Sequence, residues 1–330
     1  MLHIHNGDST ANTLREFEFP GEHFAFQEVL MGGPAPSGLS QEDWRQTRAR
    51  YLAEAYDLDV EECLKNLIKQ EAALEKFVDH DKTILWFEHD LFCQINLIYL
   101  LDWFTRQEKS NAKLSLICIS EFPGVENFRG LGQLTGEQMA SLFLDRRAIG
   151  DEQFDTAAKA WAAYCAPDPR RLVDLMGQDT SSLPFLREAL HIHLERFPSV
   201  ANGLGRIENK TLELISSGAT TFKSLFPRFG RSESAYGLGD SQLCNELRRL
   251  ARVTNPLIKI GAVSAHEVAS SPDLEATLEL TEIGRAVLAG DSDFVGLNGI
   301  DQWLGGVHLD DCATNWRWDA QREMLIEGSR

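Results

Sequence analysis

Residues 83–120 constrain the fold most. TILWF (83–87) is followed by DLFCQINLIYLLDWFTRQ and then by KLSLICIS (113–120). The middle segment is apolar almost all round a helical wheel, so it reads as a helix covered on every side. Near-continuous apolar strands are what a parallel sheet buried on both faces requires. Strand, helix and strand form a βαβ unit, and its right-handed crossover makes the two strands parallel.

The chain opens in the same way. LHIH (2–5) runs through the polar turn NGDST into a helix beginning STANTLREF, and HFAFQEVL (23–30) reads as a further strand ending in MGGPAPSG. Residues 41–78 have helical spacing and high charge, as one or two amphipathic helices on the outside of the sheet. From residue 135 the pattern turns to helices alone. TGEQ (135–138) is a capping box, Asp151 and Asp168 stand where N-caps belong, and Pro169 follows as a first-turn proline. Beyond NGLGR the order becomes three helices, two strands joined by a polar stretch, and a helix, which suggests a winged helix-turn-helix.

A chain of 330 residues exceeds the roughly 250 that one core usually serves. The expected fold class is therefore α/β with four parts: a Rossmann-like parallel-sheet domain at 1–134, a helical block at 135–204, a winged-helix-like region at 205–290, and a Trp/Gly-rich tail at 291–330 that packs back on the body. A net charge of -18 repels phosphate backbones and anionic lipid, so nucleic acid is a disfavoured partner and a membrane is not expected. Cys63, Cys93, Cys118, Cys165, Cys244 and Cys312 never pair as C-x-x-C and read as small buried hydrophobes. With no basic segment leading into an apolar run at the N-terminus, a cytoplasmic location is expected.

In an open parallel sheet, ligands bind outside the carboxyl ends of the strands. Polar residues gather there in this sequence. Asn6, Asp8 and Ser9 follow the first strand, Glu28 ends the second, Glu88, His89 and Asp90 follow the third, and Ser120 and Glu121 close the fourth. Asp8, Ser9 and Asp90 also fit plain helix N-caps. Three ionisable groups directly after an apolar strand cost desolvation energy unless they are paired, bind an ion or face water. Asp8, Glu88, Asp90 and Glu121 would suit a divalent cation such as Mg²⁺, and His89 would suit general acid or base work; metal-free substrate binding fits the same residues. Arg129, with Gln133 in the glycine-bearing loop before a capped helix, could hold an anion, or the loop is a plain connection.

Other motifs are weaker. GDS (7–9) resembles the nucleophile block of GDS-type lipases and esterases, with Ser9 as the nucleophile, but the Asp-x-x-His that family needs near its C-terminus is missing. No P-loop occurs, and GLGQLT is a near miss of a dinucleotide motif in the wrong place. His3 and His5 share a strand face as a metal-binding pair would, without further ligands at hand. In 205–290 the basic residues, among them Arg248, Arg249 and Arg252 on one helix, are balanced by as many carboxylates, so DNA contact competes with protein contact or simple packing. In the tail, Asn298, Asp301 and His308 could reach the crevice or merely fix a turn, and glycines beside Trp303 suggest close backbone approach in a hairpin.

The motifs LHIHNGDSTA, QEVLMGGPAP, LWFEHDLFCQINLIYLLDWF, LICISEFPGVENFRGLGQLTGEQMASLF, LPFLREALHIHLERFPSVANGLGR, LTEIGRAVLAG and LNGIDQWLGGVHL together resemble the bacterial domain-of-unknown-function family numbered 1835. That resemblance implies no activity. Its pattern matches Asn6, Gly7, Ser9, Glu28, Glu88, His89, Asp90, Gln94, Glu121, Arg129, Gln133, Asn298, Asp301 and His308, and more often has an aliphatic residue where His5 stands. The function expected is an enzyme or small-molecule-binding protein with a polar site at the strand ends, for a phosphate- or carboxylate-bearing ligand. The alternative is a ligand-responsive regulator acting through the winged-helix-like region.

Overall fold

The structure is a computed structural model and describes residues 1–107, 113–261, 274–310 and 315–328. Along the chain, β1 (Leu2–Asn6), α1 (Asp8–Glu16) and β2 (Glu22–Phe26) lead to β3 (Gly33–Pro34), α2 (Gln41–Tyr56) and α3 (Val60–Glu75). β4 (Lys82–Glu88), α4 (Leu91–Thr105) and β5 (Lys113–Ile119) follow, then α5 (Gly136–Leu142) and β6 (Arg147–Ala148). Next come α6 (Asp151–Tyr164), α7 (Arg170–Met176), α8 (Leu186–Leu194), α9 (Arg206–Ser216), α10 (Phe222–Ser232) and α11 (Asp240–Arg252). β7 (Ile258–Gly261), β8 (Thr277–Leu280), α12 (Glu282–Ala289), α13 (Phe294–Asn298), β9 (Asp301–Gly305), β10 (Val307–Asp310), β11 (Asn315–Asp319) and β12 (Met324–Gly328) complete it.

The fold is mixed α/β around a sheet of order β2-β1-β4-β5-β6. β1 runs parallel to both β2 and β4, and β4 runs parallel to β5. The chain leaves β1 on one side to build β2 and returns on the other side to build β4. Strand order therefore reverses at β1 and β4, where diverging connections open a crevice at the carboxyl ends.

Alternation along β4 divides the core. Leu85 and Phe87 face α4, while Ile84 and Trp86 pack with Leu14, Leu131 and Met139 on the opposite face. α4 packs against β4 on one side and α6 and α8 on the other, which is why its apolar residues go all round. Each of its large side chains is worth roughly 1.5–3 kcal/mol when fully buried.

Several expectations change in detail. The second strand stops at Phe26 instead of running to residue 30. Beyond it Glu28 turns inward to Arg48 at 2.8 Å, and the same guanidinium takes the carbonyls of Val29, Gly32 and Pro34, so these oxygens serve a buried charge and not a ladder. Residues 41–78 form two helices, separated at Asp57 in the left-handed region, with Asp59 capping the second. The helical block is interrupted by β6, which adds antiparallel to β5. Thr135 and Gln138 do form the capping box, but Gly150 takes the cap position expected for Asp151, and Pro169 takes the one expected for Asp168, which still accepts the Arg170 N–H at 3.0 Å.

The order α9, α10, α11, β7, β8, α12 follows the expected pattern; the polar stretch between the two strands, 262–273, lies outside the described residues, as does Cys312. In the tail, β9 pairs with β10 and, in parallel, with β3. A Cβ at Gly306 would overlap the Cys165 carbonyl, so the hairpin needs a glycine for this close approach. Among the described residues no helix is long and apolar enough to cross a membrane.

Arg48 is fully buried and makes four hydrogen bonds, one of them to Glu28. Removing one partner of such a pair strands the other charge, at a cost of about 3–5 kcal/mol. Arg48→Met is expected to lose that much in urea denaturation, with part recovered in Arg48→Met/Glu28→Gln. A loss below about 1 kcal/mol would contradict the assignment.

Candidate functional site

At the carboxyl ends of β1 and β4 lies a cavity of about 350 Å³. One wall comes from the sheet: Asn6 at the end of β1, Glu88 at the end of β4, and Asp90 and Cys93 at the start of α4. Arg129, Gly130, Gly132 and Gln133 of the loop after β5 form a second side. The opposite wall is contributed by α10 and the segment after it, through Phe226, Phe229, Gly230, Glu233 and Gly237.

Local sequence explains the sheet-side geometry. Asp90 is the N-cap of α4 and accepts the Cys93 N–H at 2.9 Å. That cap turns the Cys93 side chain back toward the strand end, where its thiol donates to Glu88 Oε2 at 2.8 Å. Asn6 Nδ2 donates to Cys93 Sγ at 2.7 Å, and Asn6 Oδ1 accepts from Asn96 at 2.8 Å. Glu88 Oε1 accepts the Leu131 N–H. A Cβ at Gly130 would stand 2.7 Å from that oxygen, so the loop approaches Glu88 as closely as it does because it has glycine there. On the far side, Gly237, in the left-handed region at φ 65°, packs so tightly on Asp90 that a Cβ would overlap its carboxylate.

The acids are shifted in one direction. Burial pushes the Asp90 carboxyl up to about 7, reinforced by the neighbouring Glu88 charge and opposed by the Cys93 N–H. Burial likewise raises Glu88, against the hydrogen bonds from Cys93 and Leu131. The Cys93 thiol is held well above its ordinary value by burial and by the two carboxylates. Without a cation beside it, Asp90 is in part protonated near neutral pH, and Glu88 keeps its proton to higher pH than an ordinary glutamate does. Ligand atoms of Glu88, Asp90 and Cys93 all lie within 4.8 Å of one another. Arg129 is exposed; its backbone N–H donates to Gln133 Oε1 at 2.5 Å, and its guanidinium approaches Gly230 without an ion pair among the described residues.

Of the residues singled out from sequence, Asn6, Glu88, Asp90, Arg129 and Gln133 meet in this cavity. Ser9 is exposed on the first turn of α1, its hydroxyl beside Gly132 at the rim. The others lie elsewhere. Gly7, not Asp8 or Ser9, takes the N-cap position of α1, and Asp8 is held on the surface by Gln27. Glu121 is exposed outside the lining, so the expected cluster of four carboxylates shrinks to Glu88 and Asp90. Glu28 is committed to Arg48. His89 turns its ring edge-on to Phe185, with centroids 6.1 Å apart, and its buried Nδ1 has no partner. Asn298 binds the backbone of Asn255, and His308 pairs with Asp301 at 2.7 Å and stacks on Trp303, which ties the tail together away from the cavity.

Sequence reasoning missed Cys93 and the whole α10 wall. Cys93 carried a signal, since it stands three residues after a capping aspartate and its side chain must return over the strand end. Phe226, Phe229 and Gly237 carried none, because nothing local shows that residues so distant in the chain close over β4.

His3 and His5 do share a face, but they join His23 in a stack against Trp86. His3 and His23 are 4.6 Å apart at 10°, His5 Nε2 and His23 Nδ1 lie 3.0 Å apart, and Trp86 donates to His3 at 3.0 Å. Their ring nitrogens are spent on one another, on Trp86 and on the Pro20 and Phe19 carbonyls, except His5 Nδ1, which is buried without a partner among the described residues. On helix α11 the structure favours the packing alternative for Arg249. Arg249 bridges Glu208 and Glu246, so its charge is spent inside the protein and not offered to phosphates.

A scan against protein-family models finds no match to this chain, and a search of curated proteins finds none either.

Burial lowers His3 from 6.5 to about 4 and holds His5 well below its usual range, helped in both cases by neighbouring His23. The unfolded chain therefore binds protons that the native state does not, and stability is full above about 6.5 and falls as pH drops toward about 4. Glu88 and Asp90 act in the opposite sense, so the comparison must be between variants. His5→Leu is expected to lose less stability than wild type on acidification in urea melts; an equal or steeper loss would contradict a neutral, buried His5.

Proposed function

We propose that this chain binds a small phosphate- or carboxylate-bearing ligand in the cavity at the ends of β1 and β4, as an enzyme or a binding protein. The observation that carries the reading is Arg129. It is an arginine without an ion pair among the described residues, on the wall of a 350 Å³ cavity whose other polar groups include two acids shifted toward their neutral forms, a thiol and an amide. An anion there gains the guanidinium and the glycine-loop N–H groups on one side and hydrogen-bond donors on the other. Protonated Asp90 is also a general acid near neutral pH, the role sequence reasoning gave to His89.

In finer terms, the parallel sheet is read as Rossmann-like and the region of α9 to α12 as winged-helix-like, within the family numbered 1835 and in the cytoplasm. One observation favours a regulatory use of the same site. Because α10 and Gly237 form the wall opposite Glu88 and Asp90, a ligand that fills the cavity also contacts the C-terminal helices. The readout of such a regulator is better sought in protein contact than in DNA, since Arg249 is internally paired.

The test is a thermal-shift titration with inorganic phosphate, nucleoside monophosphates and dicarboxylates, on wild type and Arg129→Ala. A ligand at a hundredfold excess over its Kd adds about 2.7 kcal/mol, which reads as a rise of several degrees. The expected result is a rise in wild type that Arg129→Ala loses. An equal rise in both proteins, or none with any anion, would sink the reading.

A further inference from the structure

Among the described residues five carboxylates are buried: Glu28, Asp90, Glu208, Glu233 and Asp319. Four of them face an arginine. Glu28 pairs with Arg48 at 2.8 Å, Glu233 with Arg206 at 2.7 Å, Asp319 with Arg322 at 3.7 Å, and Glu208 with Arg249. Asp90, at 3% exposure, faces no cation within ion-pair range, and the carboxylate beside it is Glu88. Among the described residues the hydrogen bonds to the Asp90 carboxylate come from Cys93 alone, the N–H at 2.9 Å to Oδ1 and the thiol beside it, and no cation offsets this nearly inaccessible group at the cavity it lines. Wherever else this protein buries a carboxylate it supplies a positive charge. Here the chain supplies none, so the group is neutralised by a proton or by a cation from outside the chain.

The third member of the cluster says which charge. A thiol adds little to a site for an ammonium group, but a thiolate is a strong ligand for a borderline-soft metal ion. We infer that Cys93, Glu88 and Asp90 form a site for a divalent ion of the zinc and cobalt class, with three protein ligands and a fourth position open to the cavity. This departs from the Mg²⁺ suggested by the carboxylates, because Mg²⁺ demands oxygen ligands in an octahedron. The three ligand atoms already lie within 4.8 Å of one another. Bonds of about 2.0–2.3 Å to a tetrahedral ion set its ligand atoms roughly 3.3–3.8 Å apart, so small side-chain rotations close the site.

The proton balance is defined. The Cys93 S–H proton, now shared with Glu88 Oε2, leaves to solvent as the metal–sulfur bond forms, along with any proton on the two acids. Leu131 N–H and Asn6 Nδ2 remain as donors to Glu88 and to the sulfur, which orients both ligands. Arg129 lines the same cavity as the three ligands, so an anion and the ion would share one pocket. The inference rests on reading this cavity as a ligand site, but it uses different groups from the anion reading.

The experiment is a cobalt(II) titration of the chelator-treated full chain at near-neutral pH. The expected result is one ion per chain, a thiolate-to-cobalt charge-transfer band in the near ultraviolet, and release of protons to the buffer. Cys93→Ser should lose the band. Asp90→Asn keeps the helix cap and should weaken cobalt binding by about tenfold or more. Excess Mg²⁺ should leave the band in place. No band in wild type, a band that survives Cys93→Ser, or displacement by Mg²⁺ would each overturn the site. Inorganic phosphate melts on the metal-free protein keep the two readings apart: a phosphate shift without cobalt binding removes the metal alone, and cobalt binding without a phosphate shift removes the anion alone.

Discussion

The carboxylate of Asp90 accepts the Cys93 N–H at 2.9 Å and so starts α4, a helix buried all round, at the rim of the cavity. Everything near the site follows from that cap. It fixes where β4 gives way to α4, turns Cys93 back onto Glu88, and buries a carboxyl group where a charge is costly. The cap also faces Gly237, so the C-terminal helices dock against the same group that begins the core helix. Stability and site chemistry therefore share one side chain. A residue kept only for capping could be exposed, as Ser40 is at the start of α2, whereas this one is almost fully covered and shifted toward neutrality.

Charge is managed in two ways in this protein. Arg48, Arg206 and Arg249 are each matched to a buried glutamate, and the Arg48 pair replaces the end of a strand with a knot of carbonyl contacts. The histidines of the first two strands take another course, staying neutral in a stack with Trp86. Against this background the acids at the cavity stand apart, since no arginine or lysine pairs with them among the described residues.

Much of the α/β core was legible in the sequence because its signals are local. An all-round apolar helix between two apolar strands leaves few arrangements, and TGEQ specified its capping box by spacing alone. Glu88, Asp90 and Asn6 were found by the rule that polar residues at strand ends face a crevice, and Arg129 by its place in a glycine-bearing loop before a capped helix. What was not legible depends on long-range packing. Glu28 obeys the same strand-end rule yet pairs with Arg48, because a helix from residues 41–56 delivers a guanidinium to it. His89 sits between two cavity residues, but the turn into α4 directs it to Phe185. The α10 wall reaches the site only through the docking of a segment more than a hundred residues away, which no local pattern records.

The central claim is that the sheet edge and the C-terminal helices enclose one ligand site between Glu88, Asp90 and Arg129. The most direct measurement is a crystal structure of the protein soaked with small phosphate- and carboxylate-bearing fragments. Fragment density is expected inside the cavity, within hydrogen-bond reach of Arg129 and of the Glu88 and Asp90 carboxyl groups. Density confined to other surfaces, with the cavity filled by side chains or left to solvent alone, would contradict it.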